Sequence, residues 1–385
     1  MRFIKKFFRL LFIFIFSIII LYSLFAIVTG RMWMFSAAWH NFADIDDYKI
    51  FRNDTLSISA PKPWKESKNI NKISYPDSLN NLLESLSSVA LLAIQNDSVV
   101  FEKYWDGYND SSLSGSFSMA KSVVSLLIGA AIHDGKIKSV DQSVSDFIPE
   151  FREGNKSKVR IVDLLTMSSG SDWNESYINP ISVTTQAYYG NDLYKTATAV
   201  KIIHEPGTLH QYLSGNTELL GIIVEKATGK KLAQYAAEKI WQPLGAEHPA
   251  LWSTDDNGEA KAYCCINSNA RDFARIGKLM LDSGKINDIP IIDSAYFANS
   301  ITACNIPDIN GKPCDYYGYQ WWLDPDNKGI FYARGILGQY IIMIPSKKLI
   351  IVRLGKMTSR IREHTVPKET RYLINWGLSF KFEDR

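Results

Sequence analysis

The sequence has few histidines, and their spacing excludes the common metal-binding motifs. Of the six histidines, His204 and His210 bracket Glu205-Pro206-Gly207, and this spacing matches no zinc-binding helix. Catalytic zinc sites are built from histidines and carboxylates at characteristic separations along a helix. We therefore expect no metal ion, and the sequence indicates no other cofactor.

Cysteine is also scarce, with four residues in 385. Cys304 and Cys314 flank a short loop rich in Pro, Asp, Asn and Gly, so they are able to pair across it in an oxidising compartment. Four free or partly buried thiols are the alternative. Cys264 and Cys265 are neighbours in the chain, and we expect no bond between them because adjacent cysteines rarely pair.

Most of the chain has no excess of basic over acidic residues. The formal net charge is +3, and the first nine residues contribute +4, which leaves −1 for residues 10–385. Nucleic-acid-binding proteins carry a basic face, so we expect no nucleic-acid partner. The sequence gives no indication of the oligomeric state.

The segment Leu10–Thr29 contains no charged residue, which is enough apolar chain to cross a bilayer. The positive charges that precede it predict a cytoplasmic N-terminus. We expect a single-pass protein of a bacterial inner membrane, with the rest of the chain on the periplasmic side. A cleaved signal peptide is the alternative, although Val28-Thr29-Gly30 matches a cleavage site poorly.

The remaining chain shows no repeat or low-complexity segment, and its pattern predicts three parts. Residues 1–30 form the membrane anchor, 31–77 a juxtamembrane arm and 78–385 one domain. Short apolar runs near residues 89–101 and 317–353 predict strands at both ends of this domain, and helical patterns fill about 140–285. The fold class is therefore α+β: an antiparallel sheet from both chain ends, flanked by helices, with a mostly helical insertion.

The motif S-x-x-K is the main chemical signal in the chain. Ser118 and Lys121 open an apolar, helix-periodic run, and residues three apart on a helix share a face. A neutral lysine beside a serine is able to take its proton and make it a nucleophile. A Ser-His-Asp hydrolase is disfavoured because Ser116–Ala120 does not match G-x-S-x-G.

Two later segments supply the other groups that serine catalysis needs. Tyr212 precedes a helical run and is able to act as base or acid if a nearby ammonium lowers its phenol pKa, with Ser214 and Asn216 as hydrogen-bond partners. Further on, Gly335 allows a substrate to approach the backbone closely. The Ile336 N–H is then expected to join that of Ser118 as an oxyanion hole.

The order of these motifs resembles the serine β-lactamase-like superfamily, which includes class C β-lactamases, D-alanyl-D-alanine carboxypeptidases, esterases and 6-aminohexanoate-dimer hydrolases. The resemblance extends over 85–355 and includes S-M-A-K, Leu164–Gly170, Ala270–Gly277 and Gly335-x-x-Gly338-Gln339. Within this superfamily, the 6-aminohexanoate-dimer-hydrolase-like branch is the most similar. Like that branch, this chain has Tyr-x-Ser in place of Tyr-x-Asn and a Gly-Ile pair in place of Lys-Thr-Gly.

By this resemblance, Ser118 is the nucleophile, Lys121 its base and Tyr212 the proton shuttle to the leaving group. The resemblance also implies that Tyr177 contacts the substrate. Trp173, Trp321 and Trp322 are candidates for an aromatic wall around the substrate, with a place in the buried core expected for at least one of them.

The expected activity is hydrolysis of small amides or esters through an acyl-enzyme. The lysine of Lys-Thr-Gly is missing, so penicillins are expected to be poorer substrates. A D,D-carboxypeptidase or β-lactamase is an alternative, as is a tethered, non-hydrolytic penicillin-binding or cell-wall-fragment-sensing protein.

Overall fold

A computed structural model describes residues 2–381. Its helices are α1 (Arg2–Val28), α2 (Trp33–His40), α3 (Asp77–Ser85), α4 (Met119–His133), α5 (Ile161–Leu165), α6 (Val183–Tyr189), α7 (Leu193–Thr198), α8 (Ser214–Thr228), α9 (Leu232–Ala236), α10 (Ala270–Leu281), α11 (Ser294–Ser300) and α12 (Lys368–Leu378). Its strands are β1 (Arg52–Leu56), β2 (Lys65–Glu66), β3 (Ser88–Gln95), β4 (Ser98–Tyr104), β5 (Ser114–Gly115), β6 (Ala250–Thr254), β7 (Ile266–Ser268), β8 (Lys285–Ile286), β9 (Ile289–Pro290), β10 (Trp322–Leu323), β11 (Phe331–Gly335), β12 (Gln339–Ile344), β13 (Leu349–Gly355), β14 (Arg362–Glu363) and β15 (Val366–Pro367).

The main sheet has seven strands in the order β10-β11-β12-β13-β3-β4-β2. Strands β3 and β4 come from the start of the domain and β10–β13 from its end, so the predicted α+β architecture is confirmed. A tight hairpin joins β3 to β4, with Asn96 and Asp97 at φ values of 49° and 62°. One edge departs from the antiparallel prediction, because β2 pairs with β4 in parallel.

A second sheet of four short strands, in the order β1-β6-β7-β5, is a feature that the sequence pattern does not predict. Strands β6 and β7 lie within the segment 140–285, which was expected to be mostly helical. These strands are two to five residues long and pair with partners far away in the chain, so no local periodicity identifies them.

The predicted strand at 317–322 is also wrong in part. Only Trp322 and Leu323 pair as a strand, because Gln320 adopts a φ of 64° that interrupts the extended chain. The Gln320 side chain is buried and donates to the backbone oxygens of Leu164 and Leu165. This segment is therefore a buried loop that binds α5 to the sheet.

Helix α4 is the buried core helix of the domain, and it carries the predicted nucleophile at its start. Residues Met119–Ala131 of this helix are buried on every side, as expected for a helix that is apolar all round. Ser118 is the residue at its N-terminal boundary, and the preceding Phe117 has a φ of 43°. This strained turn places Ser118 at the edge of the core, and its side chain is half-buried.

The segment 31–77 is packed on the domain through several contacts. Helix α2 lies against α6, β1 pairs with β6, and β2 pairs with β4. Helix α1 precedes it and is long and apolar enough to span a membrane, with nearly all of its surface exposed. The hydroxyl of Tyr22 in α1 donates to the backbone oxygen of Met34 in α2 at 2.7 Å, which links the two helices.

Candidate active site

Ser118 and Lys121 lie side by side on the first turn of α4. The Lys121 amine is 3.1 Å from Ser118 Oγ and 3.1 Å from Ser214 Oγ, and it donates to the backbone oxygen of Tyr263 at 2.7 Å. The lysine is 1% exposed, so these three oxygens are its immediate polar environment. The S-x-x-K spacing therefore brings the two groups together in the way that the sequence predicts.

The environment of Lys121 favours its neutral form. Burial lowers the pKa of Lys121 to about 8, although the negative charges of Glu175 and Glu218 act in the opposite direction. A lysine with this pKa carries a substantial neutral fraction near neutral pH. It is thus able to accept a proton from the serine 3.1 Å away.

Tyr212 reaches the same site from the loop before α8. Its hydroxyl is hydrogen-bonded to Ser118, and the Lys121 amine lies 5.3 Å from the centre of its ring. Burial raises the pKa of Tyr212, and the hydrogen bond to Ser118 and the charge of Arg334 offset this only in part. The lowered phenol pKa that would let Tyr212 act as a base is therefore not found, since burial raises its pKa more than Arg334 lowers it, and Tyr212 is a proton donor in this state.

Ser214 and Glu175 form a second hydrogen-bonded group behind Lys121. The backbone N–H and the hydroxyl of Ser214 both donate to the Glu175 carboxylate at 2.6 Å, and the Tyr177 hydroxyl donates to the same group. A continuous chain of hydrogen bonds thus runs from Ser118 through Lys121 and Ser214 to Glu175. The sequence does not predict a role for Glu175, because no local pattern indicates that its loop folds onto the start of α8.

The end of β11 packs directly against the turn that precedes the nucleophile. A Cβ atom at Gly335 would meet the backbone oxygen of Ser116 at 2.3 Å, so only glycine allows this approach. The contact puts the Ile336 backbone beside Ser118, and both residues line the same cavity. Arg353, fully buried beneath, donates to the oxygens of Leu337 and Gly338 and fixes this turn.

Ser118 lies where two cavities meet. One, of about 400 Å³, is named here the apolar lobe, and its wall includes Tyr22, Ala38, Phe42, Tyr177, Ile178 and Tyr188. The other, of about 300 Å³, is named the arginine lobe, and its wall includes Tyr212, Trp322, Arg334, Gly335, Tyr340 and Arg362. Tyr177 and Ile336 line both lobes, so Tyr177, the predicted substrate contact, lies beside the nucleophile.

The arginine lobe is lined by two arginines, Arg334 and Arg362, and by the Glu175 carboxylate. The Arg334 guanidinium stacks on the Trp322 ring at 3.4 Å from its centre and donates to the backbone oxygen of Thr365. Burial and the charge of Arg334 lower the pKa of Arg362. The nearby carboxylates of Asp324, Asp326 and Glu363 form ion pairs with Arg371. Neither Arg334 nor Arg362 forms an ion pair within residues 2–381.

Two of the predicted substrate-binding residues, Trp173 and Asn216, are buried away from both lobes. Trp173 is 2% exposed, and its ring packs against Gly215 while its indole N–H donates to Thr184. Asn216 is 1% exposed, and its amide oxygen accepts from Ser169. Both side chains are buried against α8: Asn216 lies on its first turn, and Trp173 packs on that turn from the loop before α6.

Of the predicted tryptophan wall, only Trp322 lines the arginine lobe. Trp321 is fully buried and packs edge-on against Phe331.

The cysteines also differ from the expectation. Cys264 and Cys265 form a disulfide, in a turn where Cys265 has a φ of 75°, whereas Cys304 and Cys314 are free thiols. Cys264 lines the apolar lobe and follows Tyr263, the residue whose oxygen accepts from Lys121. The turn brings the adjacent sulfurs together, which a sequence separation of one does not predict.

His210, Cys304 and Cys314 form a group whose ligand atoms all lie within 4.8 Å of one another. Nδ1 of His210 is hydrogen-bonded to the backbone oxygen of Thr166. Two thiols and an imidazole suit a soft metal ion. The spacing of the histidines does not predict this group, because its members come from separate loops.

Comparison with known proteins places this geometry in a family. The sequence profile of the family described as Beta-lactamase matches residues 79–371. A 6-aminohexanoate-dimer hydrolase from Paenarthrobacter ureafaciens is 27% identical over 297 residues, which cover 73% of this chain and 75% of that protein.

Solved structures share the β-lactamase/transpeptidase-like fold. A 6-aminohexanoate-dimer hydrolase homologue from Bacillus anthracis superposes with a TM-score of 0.73 at 23% identity, over 87% of this chain and 91% of that one. A family VIII carboxylesterase superposes with a TM-score of 0.61 at 16% identity, over 84% and 99% of the two chains.

Proposed function

Because this chain belongs to the β-lactamase family and is a serine hydrolase of the amidase and esterase type, we propose that it cleaves amides or esters through an acyl-enzyme on Ser118. The observation that carries the proposal is the contact between Ser118 Oγ and a buried Lys121 whose pKa lies near 8. A lysine with an ordinary pKa would be charged and unable to accept the proton.

Acylation begins when neutral Lys121 takes the proton of Ser118 Oγ as that oxygen attacks the substrate carbonyl carbon. The carbonyl oxygen gains negative charge, and the N–H groups of Ser118 and Ile336 are proposed to stabilise it. Preorganised donors of this kind need no rearrangement during the reaction, because Gly335 and Arg353 already fix the turn.

Collapse of the tetrahedral intermediate breaks the bond to the leaving amine or alcohol. Tyr212 is proposed to give that group a proton, since its hydroxyl touches Ser118 and its raised pKa keeps it protonated. The Lys121 ammonium restores the tyrosine proton, which returns the lysine to its neutral form. Water then attacks the acyl-enzyme with Lys121 as base and releases the acid.

A panel of short esters, short amides and nitrocefin tests the proposal on the full-length protein in detergent micelles. We expect several turnovers on at least one ester or amide, a lower rate on nitrocefin, and a loss of several orders of magnitude in Ser118→Ala. The exposed Ser85→Ala on α3 is the matched control and should retain the wild-type rate.

Equal rates in wild type and Ser118→Ala would refute the serine mechanism. At most one equivalent of product across the whole panel would favour the non-hydrolytic sensor. A rate on nitrocefin equal to that on the best ester would favour the β-lactamase reading.

We also propose that α1 anchors the enzyme in a bacterial inner membrane with the catalytic domain on the periplasmic side. The support is its length of 27 residues, its high apolar content and the basic residues at its start. The same features occur in some signal sequences, so the proposal includes retention of the helix in the mature protein.

A further inference from the structure

The apolar lobe connects the nucleophile to the membrane anchor. Its wall includes Ser118 and also Tyr22, which lies on α1 six residues before the helix ends at Val28. Six residues of α-helix span about 9 Å along the axis. If α1 crosses a bilayer, the far end of the lobe therefore lies below the outer surface of the hydrocarbon region.

The mouth of this lobe exposes large apolar side chains. Phe42 and Ile178 line the lobe and are 67% and 83% exposed, and Trp39 on the adjoining helix α2 is 85% exposed. Clustered apolar side chains with this exposure are unusual on a surface that faces only water. Tryptophan and phenylalanine are common where a protein meets the headgroup region of a bilayer.

The arginine lobe extends from Ser118 on the other side. Tyr212, the proposed donor to the leaving group, lines this lobe and is absent from the wall of the apolar one. The leaving group must lie near Tyr212, so it occupies the arginine lobe and the acyl group occupies the apolar lobe. Arg334 and Arg362 then face the leaving group without an ion-pair partner within residues 2–381, while the Glu175 carboxylate of the same lobe accepts hydrogen bonds from Ser214 and Tyr177.

From these two lobes we propose that the substrate is an amphiphile taken from the bilayer, with a long acyl chain and an anionic leaving group. The acyl chain enters the apolar lobe past Tyr22 and Phe42, and the anion binds at Arg334 and Arg362. This inference rests on the proposed hydrolysis at Ser118 and adds its substrate class.

The reaction is a hydrolysis that needs only water as a co-reactant. Ser118 Oγ bonds to the acyl carbon, the bond to the anionic amine or alcohol breaks, and that group leaves with one proton. Water then cleaves the acyl-serine bond. The products are a free fatty acid and the anionic headgroup.

The test uses full-length protein in phosphatidylcholine vesicles with N-acylglycines of butyryl, decanoyl and palmitoyl chains. Palmitoyl ethanolamide is the uncharged comparison, and glycine or ethanolamine release is the readout. We expect kcat/KM to rise about fourfold per added methylene until the lobe is full. Palmitoylglycine should exceed palmitoyl ethanolamide by at least about tenfold, since one charge-assisted contact contributes that much.

Two pairs of variants separate binding in the lobes from partition into the vesicle. Ala38→Trp fills the apolar lobe and should lower the palmitoyl-to-butyryl ratio of kcat/KM by at least tenfold. Ser36→Trp, on the same helix but outside that lobe, should keep the wild-type ratio. Arg362→Gln should raise KM for palmitoylglycine more than for the ethanolamide, and Arg360→Gln, also exposed but outside both lobes, should not.

The outcomes distinguish failure of this inference from failure of the proposed function. Turnover of butyrylglycine or short esters through Ser118 with no chain-length preference would overturn the membrane-amphiphile substrate and leave the hydrolase intact. A chain-length preference that Ala38→Trp and Ser36→Trp share equally would reflect partition into the vesicle and would also overturn it. No turnover of any ester or amide would refute the hydrolase itself.

Discussion

At the scale of single residues, the account depends on the protonation state of Lys121. With a pKa of about 8, the fraction of neutral lysine rises as the pH rises through 8. We predict that log kcat/KM increases with pH up to this value and then levels off, measured with a short ester. Lys121→Arg, whose side chain stays charged, should lose roughly 10²–10⁴-fold in kcat, and its kcat/KM should not show this rise with pH, the acid limb of the profile.

Glu175 supplies a second prediction about the same group. Its negative charge raises the pKa of Lys121 against the effect of burial. Glu175→Gln removes that charge, so the Lys121 pKa should fall and the acid limb of the pH profile should move to lower pH. The exposed Glu205→Gln is the control and should leave the limb in place. An unchanged limb in Glu175→Gln would mean that a different group sets it.

The contact between Ser118 and Lys121 has a local cause. Ser118 and Lys121 are three positions apart on one helix, so the sequence alone places them together. Glu175, on a loop, and Arg362, on the short strand β14, reach the site by paths that depend on long-range packing. Trp173 illustrates the opposite error, because an aromatic residue near a site motif is equally suited to the core.

At the scale of elements, the close packing of β11 on the Ser116–Ser118 turn is the feature to test. Gly335→Ala introduces a Cβ that would meet Ser116 O at 2.3 Å, so β11 must move away. The Ile336 N–H then moves with it, and we predict a loss of roughly 10²–10³-fold in kcat, as for removal of one oxyanion donor. The readouts are steady-state kinetics and the melting temperature.

Gly277→Ala provides a steric control on α10. Its new Cβ would meet Ile350 Cγ2 at 2.7 Å, on the sheet face and outside both lobes of the active site. It should lower the melting temperature while leaving kcat near the wild-type value. If both variants lose kcat in proportion to stability, the packing of β11 has no specific part in catalysis.

The elements also show which patterns predict structure. Helix α4, the β3–β4 hairpin and the strands β12 and β13 have strong periodicity or characteristic turn residues, and their predicted positions are confirmed. Strands β1, β5 and β7 are too short for a periodic signal. Their extended form depends on partners that the local sequence does not encode.

At the scale of the whole molecule, the side of the membrane on which the domain lies is the prediction to test. We predict that alkaline phosphatase fused after residue 60 is active in cells, because a cytoplasmic N-terminus puts this point outside. A cytoplasmic reporter fused at the same point should be inactive. An inactive phosphatase fusion together with an active cytoplasmic reporter would contradict the topology. The active site would then not face the outer leaflet of the bilayer, as the membrane-amphiphile substrate requires.

The overall architecture was within reach of the sequence because strands at both ends of a domain must meet in one sheet to bury their apolar faces. The arrangement of the two lobes could not be predicted from the sequence, since it depends on how α2 and the loop of Ile178 lie beside the nucleophile. Those contacts join segments 60 or more residues apart.

The central claim is that Ser118 carries the acyl group during turnover. The most direct measurement is rapid acid quench during hydrolysis of a slow ester, followed by peptide mapping by mass spectrometry. The account predicts an acyl adduct of up to one equivalent on the peptide containing Ser118, with none in Ser118→Ala. An adduct on another residue, or turnover that continues in Ser118→Ala, would contradict it.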